Sequence, residues 1–189
     1  PFGKNNKHVP VQLIDFEDPS NNNYTITNQF QVHHLETKIP DIILLINGIP
    51  VVVGEAKTPV RPSISWLDGA DEIHNIYENS VPQLFVPNIL SFATEGKELF
   101  YGAVRAPLEH WAPWRIENDE NVITNSLGLT EVGEQLIDLL SPDRLLDILK
   151  NFSLFTTNKK RQRIKVICRF QQYEGTNKIV ERVINGNVK

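Results

Sequence analysis

The chain has 189 residues, enough for one domain with a proper core, or for a domain plus the first elements of another. Apolar residues make up 40% and charged residues 22%, with no apolar run of 18 or more, which excludes a transmembrane span and argues against wholesale disorder. The 19 basic against 23 acidic side chains give a net charge of −4, so nucleic-acid binding by bulk charge is excluded and any DNA contact must be local. A single cysteine, Cys168, makes no intrachain disulfide, and the N-terminal stretch lacks an apolar segment of the signal-peptide kind. Both point to the cytoplasm and to no membrane. The absence of methionine reads as a trimmed or partial chain.

In chain order, Val11-Gln12-Leu13-Ile14 reads as a strand, Asp18 to Asn23 as a polar loop, and the run from Tyr24-Thr25-Ile26 as a second strand ending near Val32. Asp41 to Ile46 and Ile49 to Lys57 are β-branched runs joined by Asn47-Gly48, a strong hairpin signal. Their near-continuous hydrophobicity marks central strands covered on both faces. A proline-bearing loop, Thr58 to Pro62, precedes a helix over Trp66 to Asn79, with Trp66, Ile73, Ile76 and Tyr77 roughly on one side. Leu84-Phe85-Val86, Ile89 to Thr94 and Leu99 to Val104 read as further strand material.

Beyond Trp114 the pattern passes through a polar stretch into a helical tail. Thr130 caps one helix, and Ser141-Pro142 starts a second through Leu145, Leu146, Ile148 and Leu149. The basic run Lys159 to Arg163 leads into Ile164 to Cys168, and Phe170 to Val183 reads as helix. The pattern as a whole is mixed α/β.

Chemistry concentrates at Asp41, Glu55 and Lys57. In a strand, Glu55 and Lys57 project to one face while Ala56 points away. A second carboxylate, Asp41, arrives from the neighbouring strand, and two convergent carboxylates suit a hard cation such as Mg²⁺. With a lysine beside them, the implied reaction is phosphodiester hydrolysis. An isolated Glu-x-Lys is ordinarily an exposed ion pair. Here it ends a Val-Val-Val-Gly run that should be buried, and buried charges are paired or metal-bound. Convergence imposes a condition on the hairpin. An unbulged two-residue Asn47-Gly48 loop pairs Asp41 with Gly54 and puts the two carboxylates on opposite faces. Convergence needs an odd shift, most simply a three-residue Ile46-Asn47-Gly48 loop with left-handed Gly48, or a bulge elsewhere.

Asn28-Gln29-Phe30, the run Pro40 to Pro59, Val81-Pro82-Gln83-Leu84-Phe85, Ala93-Thr94-Glu95-Gly96, Tyr101-Gly102 and the segment with Trp111 and Trp114 follow one another in an order that resembles the restriction (R) subunits of type I restriction enzymes. The resemblance implies a restriction-endonuclease-like mixed central sheet flanked by helices, with a helical C-terminal extension. It implies a PD-(D/E)xK nuclease domain over 1–116, with Asp41, Glu55 and Lys57 catalytic and Asp41 and Glu55 binding Mg²⁺. Residues 117–189 then form a helical linker into a superfamily-2 translocase motor lying beyond this sequence.

The implied activity is Mg²⁺-dependent cleavage of foreign double-stranded DNA by an ATP-dependent complex with methyltransferase and specificity subunits. Gln171 or Gln172 matches the adenine-contacting glutamine upstream of the phosphate-binding loop, which is absent here, so ATP belongs to the full-length subunit only. Both are equally readable as solvated amides at a helix start.

The chain departs from the family in one place. A Gln-x-x-x-Tyr motif on the helix after the lysine strand has its tyrosine in Tyr77, but Ile73 stands where the glutamine should be. Tyr77 is thus either a support of the site or an aromatic of the packed face. His33-His34 and His110 lack zinc-ligand spacing. The Lys159 to Lys165 cluster is either a phosphate contact or a solvated loop. The competing functional reading is a non-catalytic DNA-binding or docking module with a nuclease-like fold.

Overall fold

A computed structural model describes residues 10–116, 130–159 and 161–186. Its centre is a six-stranded mixed sheet in the order β1-β4-β5-β6-β7-β8, built from β1 (Tyr24–Asn28), β4 (Ile42–Ile46), β5 (Ile49–Ala56), β6 (Leu90–Thr94), β7 (Leu99–Gly102) and β8 (Ala112–Pro113). Two short strands, β2 (Val32–His33) and β3 (Thr37–Lys38), form a separate ribbon. Only β5 and β6 run parallel within the sheet, and the helix between them makes the crossover such a pair requires. The chain is α/β, with a central mixed sheet flanked by helices.

Asn47 and Gly48 both take positive φ, 52° and 80°, as a type I′ hairpin requires. Ile46 pairs with Ile49 and Leu45 with Pro50, but Leu44 pairs with Val52, leaving Val51 as an extra residue. The interruption adjoins Pro50, which has no N–H to donate to the ladder. The expected three-residue loop is therefore not formed. The turn keeps two residues, and a bulge at Val51 supplies the odd shift.

One continuous helical segment covers the face carrying Ile43 and Val53: α1 (Trp66–Asp71), a π turn (Glu72–Tyr77) and α2 (Glu78–Ser80). Ser65 caps it through a reciprocal box with Asp68. Ala70, Ile73, Tyr77 and Val81 bury against Ile43, Val53 and Ala93.

The opposite face, with Leu44, Val52 and Phe92, is covered by α3 (Glu131–Leu139), α4 (Pro142–Asn151) and the start of α5 (Phe170–Asn185). Trp114, Leu139, Leu145, Ile148, Phe170 and Tyr173 belong to one cluster with the sheet residues. The segment expected as a linker thus shares the core of the sheet. The expected boundary after residue 116 borders residues 117–129, which lie outside the described set.

Two local expectations fail. Val11 to Ile14 forms no strand, because Leu13 gives its carbonyl to the Asn47 side chain instead of to a ladder. Leu84-Phe85 lies in a 3₁₀ turn, Pro82–Phe85, whose backbone bonds are local. The helical tail is formed as expected, and within it β9 (Ser153–Thr157) and β10 (Arg163–Ile167) form an antiparallel hairpin between α4 and α5. No helix among the described residues is long and apolar enough to cross a membrane.

Candidate active site

The bulge at Val51 pairs Ile43 with Val53 and Ile42 with Gly54, so Asp41 comes opposite Glu55 on the helix-covered face. Asp41 is held from two sides. Its Oδ2 accepts the Ala56 backbone N–H at 3.0 Å, and its Oδ1 accepts Gln29 Nε2 at 2.8 Å. Gln29 sits in the left-handed region at φ 51°, just after β1, and its own N–H bonds the Asp41 carbonyl.

Glu55 is 4% exposed. Its Oε1 accepts Lys57 Nζ at 2.9 Å and its Oε2 accepts the Tyr77 hydroxyl at 3.3 Å. Gly69 is what lets α1 come this close, since a Cβ there would lie 3.3 Å from Glu55 Cβ and Cγ. Burial pushes the Glu55 carboxyl up to about 7 although the Lys57 bond opposes it, and the charge of Asp41 pushes the same way.

Lys57 continues β5, its backbone N–H donating to the Thr94 carbonyl at 2.8 Å. Its ammonium lies between Glu55 and a third carboxylate, Glu72 Oε2. Burial works against that charge, but the hydrogen bonds to Glu72 and Glu55 outweigh it and hold the lysine above its ordinary range. Glu72 Oε1 in turn accepts the Tyr77 hydroxyl at 2.9 Å. Burial opposes the Glu72 charge, yet donation from Lys57 and Tyr77 keeps its carboxyl below the usual range.

Four of the expected residues, Asp41, Glu55, Lys57 and Tyr77, thus meet in one cluster. Glu72 escaped the sequence reading because the four-residue spacing behind Tyr77 lands on Ile73. In the structure Ile73 is buried in the core, and the π turn brings the residue five positions back beside the tyrosine. Gln29 belongs to the family-like string Asn28-Gln29-Phe30, but nothing in the spacing gave it a role at the site.

Gln171 and Gln172 stand exposed at the start of α5, and Gln172 Oε1 accepts the Arg169 N–H. Neither reaches this cluster. The basic run splits: Lys165 is buried, donating Nζ to the Asn88 carbonyl at 2.6 Å, with burial pushing its pKa down to about 8. His33 Nδ1 meets Thr37 Oγ1 at 2.8 Å.

Among the described residues no group of three or more His, Cys, Asp or Glu side chains is arranged as a metal site. The Asp41–Glu55 pair nevertheless fits a hard divalent cation. It offers oxygen donors only, and a buried carboxylate facing a second one gains from a cation between them.

Comparison with known proteins gives this cluster a context. Residues 2–110 match the family model described as Type I restriction enzyme R protein N terminus. The chain is similar to the type I restriction enzyme HindI endonuclease subunit of Haemophilus influenzae, 31% identical over 176 residues, which are 92% of this chain and 17% of that protein. It is also similar to the putative type I restriction enzyme MjaVIIIP endonuclease subunit of Methanocaldococcus jannaschii, 29% identical over 180 residues, 93% of this chain and 16% of that protein. The chain therefore spans less than a fifth of the length of these relatives. With more than half of its residues under the family model, the chain belongs to the family of type I restriction enzyme R protein N termini.

Proposed function

We propose that the chain is the Mg²⁺-dependent endonuclease domain of an ATP-dependent type I restriction enzyme, hydrolysing phosphodiester bonds of foreign double-stranded DNA. The observation that carries this reading is the side-by-side placement of Asp41 and Glu55, with Lys57 bonded to the latter, on neighbouring strands of the sheet. Asp41 and Glu55 would hold the cation, whose chemistry there would be to activate a water and offset charge developing on phosphorus. Lys57, kept charged by its carboxylate neighbours, orients the attacking water or the scissile phosphate. Gln29 and the Ala56 N–H keep Asp41 aimed.

In this reading the nuclease's catalytic residues lie within residues 1–116, and 117–189, whose described helices also pack on the sheet, lead into a superfamily-2 motor that supplies the ATP site, to which Gln171 or Gln172 contributes. Methyltransferase and specificity subunits are the partners, recognition of the DNA sequence rests with them, and the complex works in the cytoplasm.

The test uses the full-length subunit assembled with those partners. Asp41→Ala, Glu55→Ala and Lys57→Ala each cost cleavage of plasmid DNA roughly 10²–10⁴-fold, while ATP-driven translocation continues. Cleavage near the wild-type rate removes a residue from the mechanism. If all three variants cut normally, the chain is instead a non-catalytic DNA-binding or docking module.

A further inference from the structure

The π turn bears on how Lys57 is held. On a regular helix of 3.6 residues per turn, residues 72 and 77 point about 140° apart. Here the backbone N–H of Glu78 bonds the carbonyl of Ile73, five residues back, and the extra residue in the turn brings Glu72 and Tyr77 together. Glu72 then accepts from two donors on separate oxygens, Lys57 on Oε2 and Tyr77 on Oε1. The Lys57 ammonium also bonds Glu55 Oε1, and the single Tyr77 proton, shared with Glu72 at 2.9 Å, lies by a longer 3.3 Å contact within reach of Glu55 Oε2.

A divalent cation at Asp41 and Glu55 competes for those Glu55 oxygens, and Lys57 is the cation already there. Were Glu55 the sole acceptor, binding the metal would leave a largely buried ammonium and a buried phenol without partners, a costly state. We propose that Glu72 is a positioning residue that retains Lys57 and Tyr77 when Glu55 turns to the metal, so that the lysine stays aimed at the reacting centre. This rests on the metal site proposed above. Glu72 is not a ligand: its two oxygens are the parking places of the donors that Glu55 releases.

Mn²⁺ binding is the readout, followed by electron paramagnetic resonance of the free ion, on wild type, Asp41→Ala, Glu72→Ala, Glu72→Gln, Lys57→Ala and the Lys57→Ala/Glu72→Ala double variant, each checked for folding by its melting curve. Glu72→Ala weakens Mn²⁺ binding about tenfold, because Lys57 then remains locked on Glu55. Glu72→Gln, which folds as the isosteric variant and still offers one acceptor oxygen, recovers most of that loss. In the Lys57→Ala background Glu72→Ala has little effect, since the competitor is gone.

Three results overturn the inference: unchanged affinity in Glu72→Ala, a loss just as large without Lys57, or a Gln variant no better than Ala, the last two making Glu72 a ligand or a bulk charge. Failure of the metal site itself looks different. Wild type then binds no Mn²⁺, or Asp41→Ala binds it as well as wild type.

Discussion

Asp41 reaches across the strand boundary to accept the backbone N–H of Ala56, which fixes its carboxyl beside that of Glu55. The bond is to the main chain, so it survives changes in charge. In Asp41→Asn the amide oxygen keeps the Ala56 bond and the amide N–H₂ faces Gln29, whose side-chain amide turns its oxygen to accept, while the negative charge disappears. Mn²⁺ affinity should fall at least tenfold with a stability change of roughly 1 kcal/mol or less. Metal titration alongside urea denaturation checks both halves, and equal affinity would show that Asp41 holds no cation.

Gly69 sets the distance between α1 and the site. A side chain there presses on Glu55 Cβ and Cγ and on Ala93 Cβ, all at 3.3 Å from an added Cβ. Gly69→Val should destabilise by about 1–3 kcal/mol through overpacking and displace Glu55, weakening Mn²⁺ binding as well. Urea midpoints and the metal titration should move together. A stable variant with normal affinity would mean that the helix can shift freely over the sheet.

The side chain of Glu78, at the end of the same helical segment, is 6% exposed, lies 3.7 Å from His74 Nδ1 and accepts the Arg105 backbone N–H at 2.9 Å. Burial pushes its carboxyl from 4.5 up to about 7 in spite of that bond. Between those values the folded protein holds the proton that the unfolded chain has lost, so stability falls as pH rises through this window. Glu78→Gln keeps an acceptor for Arg105 and removes the titration. It should be more stable than wild type by about 2–3 kcal/mol at pH 8 and nearly equal at pH 4, as thermal melts across the range will show.

On the opposite face, Arg144 joins α3, α4 and α5. Its guanidinium bonds Asp138 at 2.9 Å and Glu174 at 2.8 Å and packs against the rings of Trp114 and Tyr173 at 5.4 and 5.0 Å. Arg144→Ala should cost about 2 kcal/mol, from lost packing and from two carboxylates left short of a partner. Mn²⁺ affinity should not change, because the sheet separates this network from Glu55. A fall in affinity without a fall in stability would tie the two faces together.

The strands that carry the chemistry are legible in the amino-acid pattern alone. Asn47-Gly48 between two β-branched runs dictates a hairpin, since both turn residues must enter the left-handed region. The alternation within Glu55-Ala56-Lys57 puts the charged pair on one face. The ordered string of family-like segments over the first 115 residues pointed to the family that the comparisons then showed.

Register and helix phase instead follow from long-range packing. Whether Asp41 faces Glu55 or Gly54 depends on one extra residue at Val51, and a bulge is settled by which side chains the two cores on either face of the sheet accept. Glu72 was illegible for the same kind of reason. A spacing rule assumes 3.6 residues per turn, whereas packing Ile73 into the core and bonding Tyr77 to both Glu55 and Glu72 requires one residue more. The Ser153–Thr157 strand likewise gains its partner, Arg163–Ile167, across a polar loop, a pairing that composition alone does not reveal. Local sequence sets what each segment favours; long-range burial sets the phase in which the segments meet.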